Sequence, residues 1–327
     1  MFKRLATSRE ALLFGAILLL LGLISTRFPS FASPGNLGQV FNDTSPLILL
    51  ALGQMIVILT RCIDLSVAAN LALTGMVVAM INVAAPGLPV AVILAVAIGM
   101  GAVLGMFNGI LVWKLDIPPI VVTLGTMTIY RGTIFLLSNG KWVNSHEMSA
   151  AFKAFPRAEL LGLPVLSWIA ILVVIILALV MSRTTLGRAF YAAGGNPHAA
   201  TYAGIDVGRT QFWAFTICGA LAGLTGYLWV SRYAVAYVDL AGGFELDVVA
   251  ACVIGGISIM GGVGTVAGAV LGALFLGVIK NALPVVDISP FWQLAISGGA
   301  IIVAVALNAQ ANRTKGRIIL KRAENAA

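Results

Sequence analysis

The sequence predicts an all-α integral membrane protein of about ten transmembrane helices, arranged as two inverted five-helix repeats. Three observations carry this. First, the chain of 327 residues is 60% hydrophobic and only 10% charged, with a mean hydropathy of +1.02, whereas soluble domains carry about a quarter charged residues. Second, apolar runs of about 20 residues recur, each bounded by charges or turn residues. Third, the pentapeptide Gly-Ala-Val-Leu-Gly occurs at 101–105 and again at 268–272, five runs later. So apolar a surface must face lipid rather than water. That excludes a soluble enzyme, a nucleic-acid binder and a disulfide-stapled secreted domain. The net charge of +8 then reports basic loops on one membrane face.

The runs fall at about 11–26, 44–60, 67–84, 89–112, 117–137, 165–182, 211–230, 244–259, 264–282 and 291–308. The first lies between Arg9 and Arg27, and the second between Asp43 and Arg61. The third opens behind Ile63-Asp64-Leu65, the fourth closes near Lys114, and the fifth follows Asp116. The sixth closes at Arg183, and the seventh runs from Arg209 to near Arg232. The eighth is short and opens on Glu245 and Asp247, so a broken or tilted span is expected there. The ninth and tenth are clear. The triplet Ser30-Phe31-Ala32 loosely fits a signal-peptide cleavage site; an uncleaved first helix is preferred, because cleavage would leave an odd number of spans. The whole chain, 1–327, reads as one transmembrane domain with pseudo-repeats at about 1–137 and 165–308, a loop at 183–210 and a tail at 309–327.

Orientation follows from Lys and Arg. With the N-terminus inside, inner segments hold Lys3, Arg4, Arg9, Arg61, Lys114, Arg183, Arg188, Arg209, Arg313, Lys315, Arg317, Lys321 and Arg322, against Arg27, Lys141, Lys153, Arg157 and Arg232 outside: 13 against 5. Both termini are therefore expected in the cytoplasm. Arg131 and Lys280 fall within spans, where each can snorkel outward.

Both pentapeptide copies lie in glycine ladders with a four-residue step, Gly101, Gly105, Gly109 and Gly264, Gly268, Gly272. Such ladders let helix backbones approach closely where lipid gives no hydrophobic driving force. An Asn follows each copy, Asn108 and Asn281. Copies five spans apart point in opposite directions, which is the plan of an alternating-access transporter.

The longest inner loop runs from Thr184 to Asp206. Asn196 followed by Pro197 is a helix start, and Gly204 is a helix stop. A helix of about two turns is expected between them, preceded by a flexible Gly194-Gly195 pair and too short to stand alone. It requires a partner surface. Ala199, Ala200 and Ala203 would let it enter a shallow groove. The long outer loop, 138–163, holds Lys141, Trp142, His146, Glu147, Lys153, Arg157 and Glu159, and an interfacial helix is expected near 145–155. Cys62, Cys218 and Cys252 have no zinc or disulfide spacing, and neither His146 nor His198 suggests a metal site.

Four stretches together resemble one known family, the permease subunits of ribose-type carbohydrate ABC importers, which includes ribose, xylose, rhamnose and autoinducer-2 permeases. They are Ile63-Asp64-Leu65-Ser66-Val67; Asn108-Gly109 through Val121-Val122-Thr123-Leu124-Gly125-Thr126 to Tyr130-Arg131-Gly132; Leu186-Gly187-Arg188 to Ala203-Gly204-Ile205; and Phe244-Glu245-Leu246-Asp247 through Gly255-Gly256 to Gly261-Gly262-Val263-Gly264-Thr265. The family usually has glycines flanking the Ile-Asp-Leu-Ser stretch; here Arg61-Cys62 precedes it and Ala68-Ala69 follows. The resemblance implies a second permease copy or paralogue, ABC ATPase subunits inside and a periplasmic sugar-binding protein outside. It also implies that Gly187, Arg188, Gly195, Asn196, Pro197, Ala199, Ala200 and Gly204 belong to a coupling element seated on the ATPase.

No Gly-Lys-Ser/Thr ending follows any Gly-rich run. This chain is therefore expected to be a transport subunit and not an enzyme, without a bound cofactor, ATP and Mg being held by the partner ATPase. Ion coupling would place acids within spans, but Asp43, Asp64, Asp116, Asp206, Asp239, Glu245, Asp247 and Asp287 read as lying at or near span ends. A neutral, hydroxyl-rich solute needs uncharged donors and acceptors, and Asn70, Thr74, Asn108, Thr123, Thr126 and Thr128 lie within spans. Taken one at a time, the same residues read better as interhelical hydrogen-bonding groups. The alternatives are an ion-coupled secondary transporter and an ABC permease for branched-chain amino acids or nucleosides.

Overall fold

The structure, a computed structural model, describes residues 9–285 and positions 292, 295, 298, 299 and 302. The described elements are α1 (Arg9–Arg27), α2 (Pro34–Leu59), α3 (Val67–Ala84), α4 (Val90–Leu115), α5 (Pro119–Ser138), α6 (Ala150–Ala154), β1 (Glu159–Leu160), β2 (Leu163–Pro164), α7 (Val165–Arg183), α8 (Thr185–Gly195), α9 (Pro197–Tyr202), α10 (Val207–Tyr233), α11 (Phe244–Ile254) and α12 (Val266–Val285). Eight of these helices, α1 to α5 with α7, α10 and α12, are long and apolar enough to cross a membrane. The expected tenth span, 291–308, and the tail, 309–327, lie outside the described residues save for isolated positions.

Burial sorts the spans into layers. The most apolar windows of α2 and α10 are 94% and 83% buried, against 22% for α4 and 28% for α5 and α7. α2, α10 and α3, the last 72% buried, therefore form the core, and α1, α4, α5 and α7 clad it. α10 packs on α4, α3 and α2, and α12 packs on α2, α11 and α1. One glycine ladder sets the first of these crossings. A Cβ on Gly101 would meet Gly219 O at 2.3 Å, one on Gly105 would meet Phe215 O at 2.2 Å, and one on Gly109 would meet Phe212 Cα at 2.9 Å. Only hydrogen fits there, so α4 and α10 touch backbone to backbone.

The second ladder is shorter than expected. Gly264 lies outside any helix, because Thr265 Oγ1 accepts from Gly268 N (2.9 Å) and caps α12 after it. Gly268 and Gly272 face Gly255 O and Ala251 O of the α11 end. The two pentapeptide copies thus serve different helix pairs, α4 with α10 and α12 with α11.

Two further expectations change. α2 begins at Pro34, ten residues before the expected start at 44, since Ser33 caps it and accepts from Asn36 N (3.4 Å). Its first turns mix Leu37, Val40 and Phe41 with glycine and polar residues, too few apolar positions to read as a span. Asp43 therefore sits inside a helix and not at a span end, and it pairs with Arg232, which also donates to Asn42 O (2.8 Å). The eighth span breaks as the acidic opening suggested. α11 has 11 residues, about 16 Å at 1.5 Å per residue and so about half of a bilayer core. Residues 255–265 continue without helix to the end of the bundle that carries α8 and α9.

The opposite end carries the long loop. Ser149 caps α6, and Asn82 holds it by two bonds of 2.9 Å. Phe152 is fully buried, stacks edge-on against Tyr227 at 5.0 Å, and its carbonyl accepts from Tyr227 Oη (3.2 Å) and Ser231 Oγ. β1 and β2 pair antiparallel beside it. The helix expected near 145–155 is thus α6 with its 3₁₀ continuation Phe155–Arg157.

Candidate functional site

The segment after α7 folds into a helical hairpin rather than a loop. Thr184 caps α8 and accepts from Gly187 N (3.1 Å). Gly187 is buried, and a Cβ there would meet Val180 O at 2.4 Å, so α8 turns back closely on α7. Asn196 caps α9, accepting from Ala199 N (3.1 Å), with Pro197 at its first position. Gly204 ends it at φ +82°. The short helix and both its punctuation marks fall where the sequence places them.

The Gly194-Gly195 pair is not a flexible lead-in. It forms the last turn of α8, and Gly194 is buried. A Cβ on Gly194 would meet Leu59 O at 1.7 Å, and one on Gly262 would meet Gly195 Cα at 2.4 Å. Two glycine doublets, 194–195 and 261–262, therefore press backbone against backbone. Gly262 N donates to Leu59 O (3.0 Å), and Tyr191 Oη donates to Gly264 O (3.0 Å). The hairpin is welded both to the end of the core helix α2 and to the loop after α11.

α9 points away from this weld. His198, Ala199, Thr201, Tyr202 and Ala203 are exposed, while Ala200 is buried against the chain itself. Tyr202 is 93% exposed, a free aromatic at the tip of the bundle. An open groove of ≈ 520 Å³ runs alongside, between α8 and the start of α10, with Arg188, Arg209, Asp206 and Trp213 on its walls. Met260, 72% exposed, and Val263 extend the apolar surface on the neighbouring loop.

Behind the hairpin lies a buried polar turn, residues 60–66. Asp64 Oδ1 accepts from Ser66 N (2.9 Å) and Ser66 Oγ (2.6 Å). Ser66 Oγ in turn accepts from Asn108 Nδ2 of α4 (2.8 Å). Gln54 of α2 brackets the Asp64 backbone, donating to its carbonyl (3.2 Å) and accepting from its N–H (3.1 Å) once its amide is oriented by the network. Thr123 of α5 donates to Ile63 O (3.2 Å). Burial pushes the Asp64 carboxyl up to about 6, against the hydrogen bonds from Ser66 that lower it.

Of the other span residues with candidate path roles, Asn70, Thr74 and Thr126 are buried. Asn70 Nδ2 donates to Gly101 O (3.1 Å), Thr74 Oγ1 to Asn70 Oδ1 (3.2 Å), and Thr126 Oγ1 to Thr123 O (3.3 Å). Thr128 is exposed on α5 and bonds its own helix at Leu124 O (3.2 Å). Asn108 Oδ1 is buried without a partner among the described residues. Sequence reasoning missed Arg61, Tyr202 and the 261–262 doublet. The second glycine doublet and the Arg at a position usually glycine were the available signals.

Arg131 does not snorkel; it donates to Val238 O (3.2 Å) and Leu240 O (2.6 Å) and so holds the loop before α11. Lys280 pairs with Asp247 in the first turn of α11.

Comparison with known proteins agrees with this architecture. A family model described as branched-chain amino acid transport system, permease component, matches residues 36–305. An autoinducer 2 import system permease protein LsrC of Enterobacter sp. (strain 638) is 40% identical over 306 residues, covering 94% of this chain and 88% of the relative. One from Photorhabdus luminescens is 36% identical over 305 residues, covering 93% and 91%, and one from Yersinia enterocolitica is 36% identical over 297 residues, covering 91% and 81%. No solved structure matches the chain. Eight apolar spans and a family match over most of the length leave one conclusion: the chain is a multi-pass membrane protein that belongs to this family of transport-system permease components.

Proposed function

We propose that the chain is the membrane-spanning subunit of an ATP-driven ABC importer, carrying a sugar-class solute across a bacterial cytoplasmic membrane. A separate ATPase supplies the energy and holds ATP and Mg. A periplasmic binding protein delivers the solute, and a second permease copy or a paralogue completes the pore. Both termini face the cytoplasm, as does the α8–α9 hairpin. The observation that carries this reading is α9: a capped helix of six residues, welded at its base and exposed along its outer side. So short a helix lacks stability of its own, and its exposed face is shaped for a groove on another chain.

The solute is uncharged, and its path uses Asn70, Thr74, Asn108, Thr123 and Thr126. The relatives are named for import of autoinducer 2, so autoinducer 2 is the first solute to test, with ribose, rhamnose and leucine as competitors. Gly187, buried against α7, packs the base of α8 behind the seat for the ATPase, which includes Arg188, Gly195, Asn196, Pro197, Ala199 and Gly204. Tyr202 is its aromatic anchor and Ala200 its inner packing residue.

Tyr202→Ala tests the seat without disturbing the fold, because the ring touches little of its own chain. Loss of a central aromatic contact costs roughly 2 kcal/mol of binding, about thirtyfold in affinity. Co-purification of the ATPase and solute uptake should both fall, with an unchanged melting midpoint. Wild-type co-purification in that variant would remove the role.

A further inference from the structure

The turn that ends α2 places Arg61 at φ +65°. Thr60 N, Arg61 N and Cys62 N bond back to Val57 O, Ile58 O and Val57 O at 3.0, 2.9 and 3.2 Å. This is the left-handed residue of a helix C-terminus, a place where a side chain is disfavoured and glycine is the ordinary occupant. Arg61 holds it nonetheless, and its guanidinium reaches across to α8. Nε donates to Gly194 O (2.6 Å) and an Nη to Gly195 O (3.0 Å). Those carbonyls close the last turn of α8, the negative end of its dipole, so the contact is charge-assisted.

What lies on each side of Arg61 gives the contact its meaning. Beyond Gly195 comes Asn196 and then α9. Before the guanidinium, the backbone runs from the core helix α2 into the buried turn at 62–66. That turn is bonded to Gln54 of α2, Asn108 of α4 and Thr123 of α5, and it leads directly into α3. A displacement of α9 therefore reaches the spans by two routes, the backbone contact of Gly194 with Leu59 at the end of α2 and the Arg61 guanidinium, and the second leads into a polar turn shared by four spans.

We propose that Arg61 is a positioning residue for energy coupling: it clamps the base of the α8–α9 hairpin to the 60–66 turn, so that movement of α9 is passed to α2, α3, α4 and α5. This rests on the reading that an ATPase seats on α9. Without the clamp, the hairpin keeps its contact with the end of α2 at Leu59, but the 60–66 turn and the spans bonded to it lag behind hydrolysis.

The decisive variant is Arg61→Gly, which suits φ +65° better than arginine and removes only the side-chain bonds. It should be measured in proteoliposomes holding the permease with its ATPase and binding protein. The melting midpoint should be unchanged or raised, and the ATPase should still co-purify. Uptake per ATP hydrolysed should fall about tenfold, the scale of a typical coupling between sites. Arg61→Lys, which can donate to one of the two carbonyls, should fall between. Unchanged uptake per ATP in Arg61→Gly would overturn the clamp and leave the importer reading standing. A lowered midpoint with loss of the ATPase would also overturn it, making Arg61 a structural staple. Wild-type uptake that needs no ATPase would overturn the importer reading and the clamp with it.

Discussion

At the scale of single residues, Asp64 is the most demanding group in the site. It is 2% exposed, and its described partners are neutral. A buried carboxylate without a cation prefers its proton, and the carboxyl is raised from 3.8 to about 6. The folded state therefore binds the proton more tightly than the unfolded chain does. The stabilisation is fully present below about pH 4 and is lost as pH rises through 6, by about 1 kcal/mol between pH 5 and pH 7. The wild-type melting midpoint should fall across that interval, whereas Asp64→Asn, which keeps an oxygen for Ser66, should show a flatter profile. Parallel slopes in the two proteins would show that Asp64 does not titrate there. The sequence marks this residue as part of Ile-Asp-Leu-Ser-Val and as an acid near a span end. That its carboxylate folds back on Ser66, and that Asn108 arrives from 42 residues away, depends on the packing of α4, which no local pattern encodes. Asn70 and Thr74 are alike in this: polar residues within a span are plain to read, but the bond to Gly101 O exists only once α3 and α4 have found their register.

At the scale of elements, close approach explains more than hydropathy does. Gly101 and Gly125 are both helical glycines in apolar spans, yet a Cβ on Gly101 would strike Gly219 O and Gly223, while one on Gly125 meets nothing within 4 Å. Gly101→Ala should separate α4 from α10 and lengthen the bond from Asn70, costing about 1–3 kcal/mol as overpacked cores do. Gly125→Ala should leave the thermal midpoint unchanged or slightly raised, since alanine is the better helix former. Equal midpoints for the two variants would mean that the ladder does not set the crossing. The apolar runs of the spans, the cap and stop of α9 and the weakness of the eighth span were all legible, because each depends on neighbours in sequence. The mixed first turns of α2 were hidden for a physical reason: Asn42 accepts from Ser167 Oγ (3.1 Å) and Asp43 pairs with Arg232, so partners distant in sequence make helix tolerable where hydropathy sees a loop. The same blindness misreads Gly194-Gly195. A glycine pair looks flexible in one dimension, but here it is the thinnest place at which two backbones can meet.

At the scale of the whole molecule, the charges and the two ends of the bundle make one testable statement about direction. One end gathers Glu10, Arg61, the α8–α9 hairpin and Thr265; the other gathers Asn82, α6, Arg157 and Arg232. The bonds of the structure make this division by themselves, without reference to which residues are basic. The Lys and Arg bias, 13 against 5, is the basis on which we propose that the hairpin end faces the cytoplasm. Only then can an ATPase reach Tyr202, and only then does the α6 cap face a binding protein. The three native cysteines are buried, so an introduced thiol reports its own side of the membrane. Lys153→Cys on the α6 end should react with a membrane-impermeant maleimide in intact spheroplasts, and Tyr202→Cys should react only after the membrane is opened. The reverse pattern would place the hairpin outside, beyond the reach of any cytoplasmic ATPase. Direction is thus the property on which the proposed energy source depends, and two labelled cysteines are enough to decide it.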